Sequence, residues 1–295
     1  MKVSYYPGCT LKSKAKNFEV AAIKSMERLG VEMVELDRWN CCGAVFSLAD
    51  DDFIHQVAPI RDLIRVKEQG YDKVVTLCSM CYNTLARANQ LIRNDAEKRD
   101  TINRFMDEEI DYFGEVEVVH FLNFIKDDVG WETLKQHVVH PLVDVKVAPY
   151  YGCTLQRPSE VGIEPTGSFE LMTQLLKALG ATVIDFPAAA QCCGSYQVIG
   201  NPIAAGEVAG SILDIARISG VEALATSCPL CEFNLGKNQE TLLQEHKITQ
   251  KIPTYYFTQL MAIALGLDSE TCHFELNEMV AVDYLKNKDF LVSHP

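Results

Sequence analysis

The sequence predicts an α/β protein built from two pseudo-symmetric repeats. The tetrapeptide Gly-Cys-Thr-Leu occurs at residues 8–11 and again at residues 152–155, 144 positions later. Ten of the eleven cysteines fall into two copies of one order, a single Cys, a Cys-Cys-Gly and a Cys-x-x-Cys. Runs typical of strands alternate with runs typical of helices, which indicates parallel pairing through right-handed crossovers. We therefore expect repeat domains at residues 1–143 and 144–295, the second including a C-terminal extension.

The first repeat alternates short β-rich runs with longer amphipathic runs. Gly30 and Gly70 follow two of the helical runs and are expected to end them. Pro59 lies inside the second helical run and is expected to kink it. The predicted strands cover residues 3–6, 31–36, 73–77 and 116–119, and the predicted helices cover 18–29, 51–69 and a stretch from residue 82.

The second repeat follows the same order. Its predicted strands cover residues 145–148, 182–186 and 221–226, and its predicted helices cover 169–179 and 203–219. Each repeat is thus expected to be a small Rossmann-like parallel sheet flanked by helices.

Every cysteine group directly follows a predicted strand. The carboxyl ends of parallel strands share one edge of a sheet, where α/β proteins bind ligands. Cysteines up to about 70 residues apart are therefore expected to meet in one cup per repeat. The two sets are Cys9, Cys41, Cys42, Cys78 and Cys81, and Cys153, Cys192, Cys193, Cys228 and Cys231.

The composition is that of a globular protein, with 48% hydrophobic and 23% charged residues. A formal charge of −13 argues against binding to nucleic acid, whose phosphates require a basic surface. The start of the chain lacks the apolar segment of a signal peptide, and the apolar run at residues 260–267 is too short for a membrane span. We expect a cytoplasmic protein with reduced thiols.

Metal binding is the favoured role of the ten cysteines. Disulfides are disfavoured in a reducing compartment, and a redox dithiol would not need three further cysteines beside each Cys-x-x-Cys. Simple buried thiols would not repeat in this order. Structural zinc remains an alternative, but it takes four thiolates and each repeat offers five, two of them adjacent. Five thiolates favour an iron–sulfur cluster. They are more than the four thiolates that a cubane cluster requires.

This twice-repeated pattern resembles the cysteine-rich CCG domain, and a chain of two such domains resembles the B subunit of the heterodisulfide reductases of methanogens. The resemblance implies that each set of five cysteines binds a non-cubane 4Fe–4S cluster. It also implies the reaction, reduction of the mixed disulfide of coenzyme M and coenzyme B (CoM-S-S-CoB) to two thiols. Two clusters that pass one electron each would match a two-electron cleavage.

The sequence contains neither a bacterial ferredoxin run of cysteines nor a glycine-rich dinucleotide fingerprint. A separate electron-carrying protein is therefore expected. The resemblance implies the C subunit of heterodisulfide reductase with conventional 4Fe–4S clusters, the electron-bifurcating flavin-containing A subunit, and a hydrogenase or formate dehydrogenase in the larger complex. The alternative is a CCG-type electron-transfer component of a succinate dehydrogenase, fumarate reductase or glycolate oxidase type of complex. A zinc scaffold is a third interpretation.

Cations near the cups are expected because the substrate carries sulfonate, carboxylate and phosphate groups. Lys12, Lys14 and Arg157 follow the first cysteine of a repeat, and His120 ends a predicted strand at the same edge. Each also has an ordinary structural explanation. Cys272 lies outside the pattern and is expected to be a buried thiol. The tail from Glu270 to Pro295 is expected to pack on a neighbouring protein of the complex or back over the two repeats.

Overall fold

The computed structural model describes residues 1–44 and 53–291 and contains two four-stranded parallel sheets. The strand order is β2-β1-β3-β4 in the first sheet and β6-β5-β7-β8 in the second, so the two sheets share one topology. The predicted fold class, with its two parallel sheets and flanking helices, is confirmed. The strands are β1 (Lys2–Tyr6), β2 (Glu32–Glu35), β3 (Lys73–Thr76), β4 (Glu117–His120), β5 (Lys146–Tyr150), β6 (Thr182–Val183), β7 (Ala223–Thr226) and β8 (Thr254–Tyr256).

Helices cover both sheets, and five of those in the described residues contain ten or more residues. The helices of the first half are α1 (Lys16–Arg28), α2 (Val57–Glu68), α3 (Ser79–Asn94), α4 (Ala96–Phe105), α5 (Phe121–Phe124) and α6 (Trp131–Gln136). Those of the second half are α7 (Glu170–Ala178), α8 (Pro202–Ile218), α9 (Pro229–Glu232), α10 (Gln239–Gln244), α11 (Phe257–Ala264) and α12 (Met279–Lys286).

The helical run predicted over 51–69 begins, within the described residues, as a 3-10 turn at Phe53–Gln56 and continues as α2. Residues 51 and 52 lie outside the described part. Pro59 is the third residue of α2, where a missing N–H leaves no intrahelical hydrogen bond unmade. Its place in the first turn of α2, and not in the helix interior, removes the physical reason for the predicted kink.

Two boundaries near the cysteines differ from the predicted ones. Helix α3 begins at Ser79 rather than Tyr82, so Cys81 lies in its first turn. Strand β6 contains two residues, although the predicted strand extends to Phe186. Strand β8 and the helix that follows it are absent from the prediction, because Thr-Tyr-Tyr is too short to give a periodic signal.

The two halves are joined by packing between α1 and α11. The Phe18 ring is fully buried and stacks on Tyr256, with ring centroids 4.3 Å apart and an interplanar angle of 1°. The same ring meets Phe257 edge-on at 5.8 Å, and the Thr258 hydroxyl donates to the Phe18 carbonyl at 2.9 Å. The pseudo-symmetric counterparts of these helices, α5 and α7, also contact each other.

The C-terminal segment packs back over the two halves. The Asn277 carboxamide accepts from Asn17 of α1 and from Gln259 of α11, at 3.0 and 2.8 Å. Tyr255 of β8 donates to the Ala281 carbonyl at 2.6 Å. Cys272 is fully buried, which confirms the expected buried thiol. The described part of the tail thus belongs to the intramolecular core, while residues 292–295 lie outside the described residues.

The two sheets lie within residues 2–120 and 146–256. The domain boundary at residues 143 and 144 falls between them and stays a prediction, because the halves share one continuous buried core. Within residues 1–44 and 53–291, none of the helices has the length and apolar character that crossing a membrane would require.

Replacing Phe18 by Ala is expected to destabilise the whole chain by about 3–5 kcal/mol, because it removes a fully buried ring at the junction of the halves. Phe105→Ala is the matched control, since that ring is 63% exposed and its loss should change stability by less than about 0.5 kcal/mol. Urea unfolding of anaerobically purified protein, followed by circular dichroism, measures both. Equal losses in the two variants would contradict this account of the junction.

Candidate metal centres

Each half brings its five cysteines to the carboxyl edge of its sheet. In the first half, Cys9 follows β1, Cys41 and Cys42 follow β2, and Cys78 and Cys81 follow β3. The second half repeats this after β5, β6 and β7. The placement predicted from the repeat is therefore correct, because parallel strands end at a common edge.

The sulfur atoms meet in pairs within each half. Cys9 and Cys41 lie 3.6 Å apart, and Cys42 and Cys81 are also 3.6 Å apart. In the second half, the corresponding inner pair, which joins Cys193 to Cys231, shows the same 3.6 Å separation.

The inner cysteines of the two halves also meet each other. The Ser79 amide donates to the Ser227 carbonyl at 3.2 Å, which joins the two Cys-x-x-Cys loops. The pKa of Cys78 is raised, chiefly through Cys228 of the second half, so the two sulfurs lie close to each other across the boundary. Both sulfurs are buried, whereas Cys9 and Cys41 are exposed. The two sites therefore form one connected set of sulfurs, closed at the boundary of the halves and open at the outside.

In each inner pair, one sulfur accepts a hydrogen bond and the thiol of the other donates it. The pKa of Cys42 is held well below its usual range by hydrogen bonds from Cys41 and Cys81. The pKa of Cys81 is raised in turn by its bonds to Cys42 and Cys78. In the outer pair of the second half, a hydrogen bond from Cys153 lowers the pKa of Cys192 to about 6. Within such a pair, one sulfur is favoured as the thiolate and its partner as the thiol.

The repeated glycine before each first cysteine has a steric cause. Gly8 has a φ of +74°, and a Cβ atom there would lie 2.8 Å from the Cys81 sulfur. Gly152 has a φ of +65°, and its Cβ would lie 3.2 Å from the Cys231 sulfur. Any side chain would both strain the backbone and push the second sulfur of the Cys-x-x-Cys out of place. This close approach accounts for the Gly of the two Gly-Cys-Thr-Leu copies.

A tyrosine fixes the loop before each Cys-Cys pair. Tyr6 donates to the Asn40 carbonyl at 2.7 Å, and Tyr150 donates to the Gln191 carbonyl at 2.6 Å. The first loop has an additional support, because the Asn40 amide donates to the Asp62 carboxyl group at 2.8 Å. Burial raises the pKa of Asp62 to about 8. The cysteine pattern did not reveal these tyrosines, although both stand two residues before the repeated glycine.

The donor set fits a thiolate-bound cluster better than a single ion. Within the described ranges, no three His, Cys, Asp or Glu side chains are arranged around one point as ligands of a metal ion. A structural zinc ion would need four. Three buried hydroxyls in the segments around Cys78 and Cys228, those of Thr76, Ser79 and Ser227, have no hydrogen-bond partner among the described residues. A bound group with further hydrogen-bond acceptors would satisfy these hydroxyls, and the sulfides of an iron–sulfur cluster are acceptors of this kind.

The four predicted substrate contacts occupy different surroundings. Lys12 forms ion pairs with Glu19 and Glu35 at 2.8 and 2.5 Å. Lys14 and Arg157 are exposed. The Arg157 charge contributes to the lowered pKa of Cys192, after the Cys153 and Gly194 hydrogen bonds.

His120 is fully buried between the sheet edge and α5. Its Nε2 hydrogen bonds to the Leu77 carbonyl at 3.0 Å, and its Nδ1 accepts from the Leu122 amide at 3.3 Å. Burial lowers its pKa to about 3, so the ring is neutral. These contacts give His120 a structural part in holding the strand end next to Cys78.

Asn83 is a further site residue that the cysteine pattern did not reveal. It lies in α3, two residues after Cys81, and its amide donates to the Thr154 and Arg157 carbonyls of the other half, both at 2.8 Å. It therefore ties the loop after Cys153 to the first site. No sequence signal distinguishes it from other helical asparagines.

Comparison with known proteins agrees with the two cysteine repeats of the site. The model of the cysteine-rich CCG domain matches residues 3–86 and 147–236. The B subunit of the ferredoxin/F(420)H(2)-dependent CoB–CoM heterodisulfide reductase of Methanosarcina acetivorans is 30% identical over 294 residues, which cover 96% of each chain. The membrane anchor subunit of 8-methylmenaquinol:fumarate reductase of Wolinella succinogenes is 32% identical over 273 residues, 90% of this chain and 93% of that one.

Among solved structures, a hypothetical protein from Helicobacter pylori matches with a TM-score of 0.74 at 12% identity, over 94% of this chain and 51% of that one. That likeness concerns the fold alone. Two CCG domains, a full set of ten cysteines and relatives of matching length agree with the resemblance seen in the sequence. The chain belongs to the family of cysteine-rich CCG domain proteins, as a double-CCG chain similar to the B subunits of heterodisulfide reductases.

Proposed function

We propose that this chain is the catalytic subunit of a cytoplasmic CoB–CoM heterodisulfide reductase, which reduces CoM-S-S-CoB to two thiols in methanogenesis. The observation that carries the proposal is the contact between the two sites. The Ser79 amide donates to the Ser227 carbonyl at 3.2 Å, which holds the two Cys-x-x-Cys loops against each other, so both sets of sulfurs can lie beside one small molecule. The similarity to the B subunit of a heterodisulfide reductase over 96% of the chain supports it.

Two non-cubane 4Fe–4S clusters are the proposed cofactors, one for each set of five cysteines. When bound, each supplies one electron, and cleavage of a disulfide to two thiols consumes two electrons and two protons. The chain's own part is to hold ten thiolates in place. The ligand sets are Cys9, Cys41, Cys42, Cys78 and Cys81, and Cys153, Cys192, Cys193, Cys228 and Cys231.

Positive side chains near the outer cysteines are the proposed contacts for the anionic groups of the substrate. Arg157 is the strongest candidate because it is exposed and its charge acts on Cys192. Lys14 is exposed as well, beside the first site. Lys12 is held by two glutamates and His120 is buried and neutral, which makes both weaker candidates.

The electrons are proposed to come from other proteins of a complex. The relatives are named as subunits of heterodisulfide reductase and fumarate reductase, which supports a place in such an assembly. The proposed partners are the C subunit of heterodisulfide reductase, with ferredoxin-like 4Fe–4S clusters, and the electron-bifurcating flavin-containing A subunit. A hydrogenase or a formate dehydrogenase would supply electrons to that flavin.

An electron-transfer role in a fumarate reductase type of complex is the second candidate. The 32% identity to the Wolinella succinogenes protein favours it. In that role, one site would pass electrons to the other and no disulfide would be bound. The two candidates share the ten cysteines and differ in whether both sites touch one substrate.

Anaerobically purified protein is expected to contain about eight irons and eight sulfides per chain, with little zinc. Cys42→Ser and Cys193→Ser are each expected to lose about half of this iron, because each removes one ligand of one set. Cys272→Ala is the matched control and should keep all of it, since this buried cysteine belongs to neither set. Elemental analysis measures all four proteins. One zinc per half and no sulfide would contradict the cofactor assignment.

Cys42→Ser and Cys193→Ser are each expected to abolish most disulfide reduction, and the double variant should be scarcely worse than either. Residues that act as one unit are non-additive in this way. The measurement is turnover of CoM-S-S-CoB with a small soluble reductant that bypasses any relay. If only one of the two substitutions abolishes this activity, the shared-site mechanism is wrong and a relay is favoured.

A further inference from the structure

The loops that follow the first cysteine of each repeat are held in different ways. In the first half, the Thr10 carbonyl accepts hydrogen bonds from the backbone amides of the same loop. The donors are Ser13, Lys14 and Ala15, at 3.1, 2.9 and 2.9 Å. Helix α1 begins at the next residue, so the loop after Cys9 closes on itself.

The second half has a longer connection at the same place. Residues 156–169 join the repeated Gly-Cys-Thr-Leu to α7, whereas residues 12–15 are enough to reach α1 in the first half. The equivalent carbonyl, that of Thr154, accepts a hydrogen bond from the Asn83 side chain of the first half at 2.8 Å. The same amide group donates to the Arg157 carbonyl, also at 2.8 Å. A residue of one half therefore holds the loop after the first cysteine of the other.

The surroundings of Asn83 make this tie specific. Asn83 lies on α3, two residues after Cys81, and is 3% exposed. Its side-chain NH₂ group has two hydrogens to donate, and the two carbonyls accept both. The equivalent position in the second repeat is Phe233, which is 43% exposed and has no side-chain donor. The tie from the first half to the second thus has no counterpart at the equivalent position.

Further contacts hold the same connection against the first half. Asn123 of α5 donates to the Ile163 carbonyl at 3.1 Å, and the 3-10 turn at Ser159–Val161 packs against α3. Among these contacts, the bond from Asn83 is the one whose acceptor directly follows Cys153 in the chain. It therefore acts on the peptide that carries a ligand sulfur.

We infer that Asn83 is a positioning residue of the second metal centre, although it stands beside a ligand of the first. It fixes the peptide after Cys153 and hence the direction in which the Cys153 sulfur points. Without this donor, two carbonyls lose their partner and the loop gains freedom to turn toward water. Hydrogen bonds that orient a ligand in this way change metal affinity by about 10–100-fold. The inference rests on the ligand sets of the proposed function and requires no particular substrate.

Release of iron from anaerobically purified protein to a ferrous-iron chelator tests the inference. Asn83→Leu replaces the amide by an apolar side chain of similar size and removes the donor. It is combined with Cys42→Ser, which leaves the metal of the second site, and separately with Cys193→Ser, which leaves that of the first. With Cys42→Ser, Asn83→Leu is expected to speed release about tenfold and to alter the electron paramagnetic resonance spectrum. With Cys193→Ser, it should change neither.

Asn89→Leu is the matched control. Asn89 lies on the same helix and is 4% exposed, and its amide donates to the Val116 carbonyl of the first half at 2.7 Å. This variant is expected to unfold at a lower urea concentration and to leave the release of second-site iron unchanged. Asn83→Gln keeps the donor and should restore slow release in part. Asn83→Asp keeps the shape without the NH₂ group and should act as Asn83→Leu does, which provides the test if the leucine variant does not fold.

Three results would overturn the inference. They are faster release in the Cys193→Ser protein, unchanged release in the Cys42→Ser protein, and an equal acceleration by Asn89→Leu. A protein that binds zinc in place of iron would contradict the cofactor assignment alone, because zinc release from the same variants decides the inference by the same three criteria.

Discussion

The structure depends on one contact, the meeting of the two Cys-x-x-Cys loops at the boundary of the halves. The Ser79 amide donates to the Ser227 carbonyl, and Cys78 approaches Cys228. This contact is possible because both loops lie at the carboxyl edge of a sheet and both edges face the boundary. Packing of α1 on α11 holds the two edges together. The two sets of cysteines therefore meet at the boundary, although they are far apart in the sequence.

The repeat supplies the same architecture to both sites, while some side chains beside the cysteines differ between the halves. Gly8 and Gly152 serve the same steric purpose, as do Tyr6 and Tyr150. Beside the inner cysteines, however, Tyr82 of the first half packs edge-on against His120 at 5.6 Å, where Glu232 of the second accepts from Tyr256 at 3.4 Å.

The two candidate functions differ in what would bind at the outer cysteines, a protein partner or a small disulfide. Cys9 and Cys41 are exposed, and Cys153 and Cys192 are partly so, whereas the inner six are buried. A relay between protein partners and a site that binds a small disulfide both need such an opening. Exposed Arg157 at the second opening fits an anionic ligand, because its charge has no carboxylate partner among the ion pairs of the described residues.

The sequence by itself determined the two repeats, the parallel sheets and the placement of the ten cysteines at the edges of the sheets. These follow from local order, since strand periodicity and chain direction put each cysteine at one sheet edge. It left undetermined the short strand β8, the position of Pro59 in the first turn of α2, the burial of His120 and the role of Asn83. Those depend on which residues of one half face the other. Such long-range contacts, between residues 71 positions apart for Asn83 and Thr154, leave no periodic trace in a chain and are decided only by tertiary packing.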